Sequence, residues 1–250
     1  MAGHVCAADE AFHALQREVA MLGSRGTWMW FADRFGALET ALSDAGGFDE
    51  NLADHMESPY GFMGSQEVVD RHFLTEGICV EMEDVLGAFF VALQPRLNAV
   101  KVAAKRVYFA ATNIDHLRIA PPKRMVTPAD FESTWQVANF VKHRDEWRDV
   151  LSDQQQECFD ALVALGVAKV VNGSRELDRW TLISAACAIS GETTLANAVP
   201  AIVQRCESAC HDVENSIQGD FSCIAAEVDA LRAQNAPKLR VRAHNRTDET

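Results

Sequence analysis

Apolar residues recur at helical spacing along most of the chain. Phe12, Leu15, Val19 and Leu22 mark one face of a first helix. GSRG then interrupts the pattern, and Phe31, Phe35, Leu38 and Leu42 repeat it in a second helix closed by Gly46-Gly47. An antiparallel helical hairpin is predicted for this pair. Residues 46–65 are glycine-rich with weak periodicity, as a long loop would be. A long helix is predicted from Gln66 to about Gln94, with Val69, Phe73, Val80, Leu86, Phe90 and Leu93 on its buried side. Pro95 is predicted to end or kink it. The next helix turns Leu97, Val100, Ala104, Val107 and Tyr108 inward and runs to about Asn113.

A connector with Pro121-Pro122 follows. Thr127-Pro128 pairs an N-cap with proline at the first helical position, so a helix is predicted to start there and to run through Trp135 and Trp147. Ser152 and Gln155 have the spacing of a capping box ahead of ECFDALVAL. AKVVNGS reads as an extended segment with an Asn-Gly turn but without an evident pairing strand. Helices are predicted to resume near Glu176 and again near Glu192. The latter is interrupted by Pro200 and runs toward Asn235, with Gly219 as a dividing point. No internal repeat is visible. The fold class is therefore all-α, an antiparallel multi-helix bundle of eight or nine helices. Residues 1–235 are expected to form a single domain and residues 236–250 a mobile basic tail.

Composition narrows the function classes. The chain of 250 residues is 48% hydrophobic and 24% charged, as in globular domains. A net charge of −13 argues against a broad electrostatic grip on nucleic acid and leaves room only for local contact with RNA. No apolar run approaches the roughly 20 residues of a membrane span. The N-terminus lacks the basic-then-apolar order of a signal peptide. The seven cysteines are odd in number and form no CxxC pair, which suits reduced thiols in a cytoplasm. Cys206 and Cys210 lie one helical turn apart with His211 beside them, but no second ligand pair with zinc-like spacing accompanies them. Glu10–His13 is a lone Glu-x-x-His without the second copy a carboxylate-bridged di-metal bundle needs, and a glycine-rich phosphate loop, GxSxG and HExxH are absent, so no metal and no cofactor are expected. Asp70-Arg71-His72 and Asp115-His116 read as generic polar clusters.

One stretch carries candidate chemistry: WQVANFVKHRDEW, residues 135–147. At about 100° per residue, Asn139, His143 and Glu146 form a polar centre flanked by Trp135, Phe140 and Trp147. A histidine beside a carboxylate is equipped for general acid–base work. The same residues also suit the solvated end of a structural helix, with Lys142–Glu146 and Asp145–Arg148 as local ion pairs.

NFVKH, with Asn139, Lys142 and His143 inside an all-helical chain, resembles the motif region of the HEPN superfamily. The likeness covers some seven residues. It implies a helical bundle and a metal-independent RNase, or an inactive relative, in a toxin–antitoxin, CRISPR or phage-defence setting. It also implies a homodimer in which two motif copies meet across one cleft. Asn139 would match the motif's polar position and His143 its histidine. The arginine position is occupied by Ala138, and Arg144 projects about 100° away from His143. Under this reading His143, Asn139 and Glu146 are catalytic, and Lys142 and Arg144 hold phosphate. The alternative is a non-enzymatic helical interaction or regulatory protein that binds a protein partner through Trp135 and Trp147.

Overall fold

The computed structural model describes residues 2–46, 66–112, 129–147 and 151–219. Within them lie seven α-helices: α1 (Ala2–Leu22), α2 (Arg25–Asp44), α3 (Gln66–Thr112), α4 (Ala129–His143), α5 (Asp153–Ala164), α6 (Thr181–Ser190) and α7 (Leu195–Gly219). A 3-10 turn (Arg144–Glu146) and a hairpin of β1 (Ala168–Val171) and β2 (Ser174–Leu177) complete the set. The architecture is an all-α bundle with one small hairpin. Several sequence expectations lie outside the described residues: the loop over 47–65, Asp115-His116, Pro121-Pro122, the Thr127-Pro128 start, the Asp145–Arg148 pair, the helix toward Asn235 and the tail over 236–250. No single helix among the described residues is long and apolar enough to cross a membrane.

The long third helix departs from expectation in two ways. It runs unbroken through Pro95, as α7 does through Pro200. Pro95 cannot donate to the Val91 carbonyl, but Val91 is 44% exposed, so the lost bond falls on the wetter side of the helix. The buried face is also rotated. Phe73 and Val80 are 60% and 47% exposed. The true seam is His72, Thr75, Cys79, Met82, Leu86, Phe89, Leu93, Leu97, Val100, Ala104 and Val107, all buried. Its steps are three or four residues, which holds one stripe on one side of a helix. His72 and Thr75 tolerate this because their polar atoms have partners. The His72 Nε2 lies 3.5 Å from Glu76, and the Thr75 hydroxyl donates to the His72 carbonyl at 2.9 Å.

Two compact units divide the described chain. One contains α1 to Met21, α3 from Asn98 and α7 from Ser208; the other lies within Leu22–Leu97 and Asp130–Glu207. In the first, Leu15, Val19, Val100, Ala104, Val107 and Cys210 are buried. In the second, α4 is enclosed over its C-terminal half: Thr134 and every residue from Gln136 to Phe140 are buried. Its buried polar side chains reach three different helices. Thr134 accepts from the Cys206 thiol of α7 at 3.6 Å, Gln136 from the Cys158 thiol of α5 at 3.1 Å, and Asn139 from the Gln94 amide of α3. Each bond fixes the register of one neighbour against α4, because sliding either helix leaves a buried polar atom unpaired.

Local signals set the ends of α5. The Ser152–Gln155 capping box forms with both reciprocal bonds, at 3.3 and 2.9 Å. At the other end Val167 N donates to Leu162 O and Gly166 N to Val163 O, the paired closure of a Schellman motif. The hairpin then corrects the expected helix near Glu176, which instead belongs to β2. Ser174–Leu177 is the strand that pairs with β1, in the register Lys169↔Glu176. Asn172 and Gly173 turn it with φ of 52° and 82°, the two positive values a tight two-residue turn requires. SREL lacks β-branched residues, and the Asn-Gly turn, the Lys169–Glu176 pair at 3.4 Å and the Arg175 guanidinium over the Phe159 ring at 5.7 Å help specify it.

Two helix starts are capped from a distance. Trp180 precedes α6 and cannot cap it, so the Glu83 carboxylate of α3 accepts from Leu182 N at 2.9 Å and Ile183 N at 2.8 Å. Glu39 of α2 does the same for Leu195 and Ala196 of α7. Burial pushes the Glu83 carboxyl above its ordinary value of 4.5, only partly offset by these amides and by Arg144. Glu83→Ala is expected to cost about 2 kcal/mol by orphaning both amides. Glu83→Gln retains an acceptor without the desolvated charge. A carboxylate with a raised folded-state pKa contributes stability below 4.5 that is lost as pH rises through the folded value. Urea melts at about pH 4 and about pH 7 should therefore show Gln gaining on Glu at the higher pH. An unchanged difference would refute the desolvation.

Candidate functional site

The helix that carries Asn139 and His143 stops sooner than its sequence suggests. His143 adopts φ −119°, ψ 5°, and the next three residues wind into the 3-10 turn. Trp147 follows in extended conformation, with φ −70° and ψ 129°. The straight stripe expected from Trp135 to Trp147 is thus bent after His143. The bend still converges on one place. Asn139, His143, Glu146 and Trp147 line one side of a cavity of about 110 Å³. Ser152, Gln154, Gln155 and Cys158, from the start of α5, line the other.

Asn139 sits in the interior, 5% exposed, with its carbonyl committed to Gln94. The His143 and Glu146 side chains are 36% and 66% exposed, and His143 Nδ1 lies 3.1 Å from Glu146 Oε2. That contact orients the imidazole and leaves Nε2 for a ligand. Trp147 is wedged between Phe140 and Phe159, with ring centroids at 5.0 and 6.3 Å. Its buried indole N–H has no hydrogen-bond partner among the described residues. Trp135 stacks on Phe131 with an interplanar angle of 8°. Lys142 and Arg144 are exposed and do not line the cavity, Arg144 acting instead on Glu83, and Ala138, where the HEPN motif would carry arginine, is fully buried.

Cys158 is a nucleophile by residue type only. Burial, followed by Glu157 and Glu132, pushes its thiol up to about 11. Its proton is also engaged by Gln136. Iodoacetamide at about pH 8, read by peptide mass mapping, should leave Cys158 unmodified in the native protein and label it in denaturant. Rapid native labelling would contradict this geometry. No group of three or more His, Cys, Asp or Glu side chains among the described residues could hold a metal ion.

No family model matches the chain, and neither does any curated protein or solved structure.

Gln154, Gln155 and Cys158 are not legible as site residues in the sequence. The capping-box spacing announces a helix start at Ser152, but not that this start faces His143 across a cavity. Tertiary packing, rather than local spacing, sets the direction in which the chain returns after the 3-10 turn.

Proposed function

We propose that the chain is a divergent HEPN-like protein in which His143, oriented by Glu146, performs metal-independent acid–base chemistry on an RNA phosphodiester. The observation that carries this is the 3.1 Å His143–Glu146 pair at the cavity that Asn139, Trp147 and the start of α5 enclose. A carboxylate on Nδ1 leaves Nε2 to accept a proton from an attacking hydroxyl or to give one to a leaving oxygen. Lys142 and Arg144, exposed and flanking His143 in the sequence, are the cations assigned to the phosphate. A second copy of the chain would bring a second His143 to the cleft, as the resemblance implies.

A second reading is a non-enzymatic interaction or regulatory protein. Ala138 favours it, because a buried methyl replaces the guanidinium that would stabilise a phosphate transition state. So does the engagement of Asn139 by Gln94. Incubating the purified protein with mixed RNA, beside His143→Ala, separates the two. Cleavage by the wild type that His143→Ala abolishes supports the nuclease. Equal cleavage by both, or none by either, removes it and leaves the interaction reading.

A further inference from the structure

Part of the wall around His143 has no use in the proton chemistry. Asn139 of α4, Trp147, and Gln154 and Gln155 of α5 line the cavity beside the His143–Glu146 pair, and none of the four titrates near neutral pH. What they offer is hydrogen bonding of a fixed sense. Asn139 is 5% exposed and its carbonyl oxygen accepts from Gln94, so its unengaged end is the NH2 group. The Gln155 carbonyl oxygen accepts from Ser152 N at 2.9 Å in the capping box, which leaves the NH2 group there as well. The buried Trp147 indole N–H, without a partner among the described residues, makes the same wall richer in donors. Gln154 stands at the exposed rim and presents both a donor and an acceptor.

Size selects among ligands. The cavity encloses about 110 Å³. A closed apolar cavity of roughly 150 Å³ takes one benzene ring. This one opens at a rim where Glu146 and Gln154 are exposed, so it admits a single six-membered ring whose substituent stays outside, and the fused rings of a purine exceed it. Trp147, held by Phe140 and Phe159, gives such a ring an aromatic wall. We propose that the cavity takes the uracil base of a single-stranded RNA. Asn139 and Gln155 donate to its two carbonyl oxygens, and the Gln154 carbonyl accepts from the ring N–H between them. Cytosine carries an amine in place of one carbonyl, so there a donor meets a donor. The ribose leaves the cavity at the rim, on the side of His143. The inference rests on the nuclease reading for its substrate, RNA, but binding of the base does not require cleavage.

Uridine, cytidine and adenosine, titrated at millimolar concentration onto the full chain and followed by ligand-observed NMR, test the base apart from any phosphate. Uridine should bind about ten-fold tighter than cytidine, and adenosine should bind least. Gln155→Glu keeps the capping box, because glutamate serves at that position, but puts an oxygen where the NH2 group was, and should remove the preference for uridine. Gln154→Ala, an exposed change that leaves the helix start intact, should weaken uridine about three-fold or more. Equal binding of the three nucleosides, tighter binding of adenosine, no binding of uridine, or a wild-type preference in Gln155→Glu would overturn the proposal. Cleavage of a uridine-rich RNA is scored separately. Uridine preference without cleavage keeps the base site and removes the nuclease, whereas cleavage without uridine preference does the reverse.

Discussion

Replacing Phe89 with alanine is expected to destabilise the protein by about 4 kcal/mol, near the top of the range for a single core side chain. Phe89 is fully buried on α3 and lies edge-on to Trp28 at 5.7 Å and to Phe31 at 5.5 Å. Its removal therefore loses transfer free energy, leaves a cavity and disconnects the aromatic contacts that tie α2 to α3. Edge-to-face pairs add about 0.5–1.5 kcal/mol each beyond burial, which places this site toward the upper end for Phe→Ala. Against a typical total of about 5–15 kcal/mol, the variant would be partly unfolded on mild heating. Urea denaturation followed by tryptophan fluorescence measures it. Phe73→Ala is the matched control. Phe73 is 60% exposed, so its loss should change stability by less than about 0.5 kcal/mol. A cost at Phe73 comparable to that at Phe89 would mean that the core-facing stripe of α3 runs through Phe73 instead.

That pair of residues also shows how far the sequence reveals the fold. Helices are legible because apolar residues recur every three or four positions, and α1, α2 and the second half of α3 follow directly from that rule. The first half of α3 misleads because Phe73 and Val80 look like better core residues than His72 and Thr75. Hydrophobicity alone cannot register that a buried histidine and threonine are satisfied by neighbours within one turn. Pro95 and Pro200 look like breaks, yet the helices continue because each proline removes only one bond. The hairpin is half legible: Asn172-Gly173 announces the turn, while SREL carries no strand signal of its own. The distant caps, Glu83 and Glu39, are not legible at all, because they join residues 100 and 156 positions apart. At the site, helical spacing brings Asn139 and His143 together. The bend after His143 and the return of α5 lie beyond it.

His143→Ala is expected to lower RNA cleavage by about 10²–10⁴-fold under the proposed mechanism, the usual contribution of a positioned acid–base group. Glu146→Gln should do far less, about three- to ten-fold. The Glu146 side chain is 66% exposed, so water screens its charge, and a glutamine oxygen can still accept from Nδ1 and hold the same tautomer. The informative quantity is the ratio of the two losses, measured on one defined single-stranded RNA with both variants shown to be folded. A deep loss at 143 with a shallow one at 146 fits an imidazole that does the proton transfer and a carboxylate that only aims it. Equal losses would mean that the pair acts as a structural clasp for the turn, and a wild-type rate in His143→Ala would remove the histidine from the chemistry. Introducing arginine at 138, where the HEPN motif carries one, is not an alternative test. Ala138 is fully buried, so a guanidinium there would be stripped of water inside the unit, and the expected result is misfolding rather than gained activity. Under the proposed mechanism the positive charge for the phosphate is assigned instead to the exposed Lys142 and Arg144. Lys142→Ala with Arg144→Ala should therefore weaken RNA binding and flatten its dependence on salt, because fewer counterions are released, while leaving the His143–Glu146 contact in place.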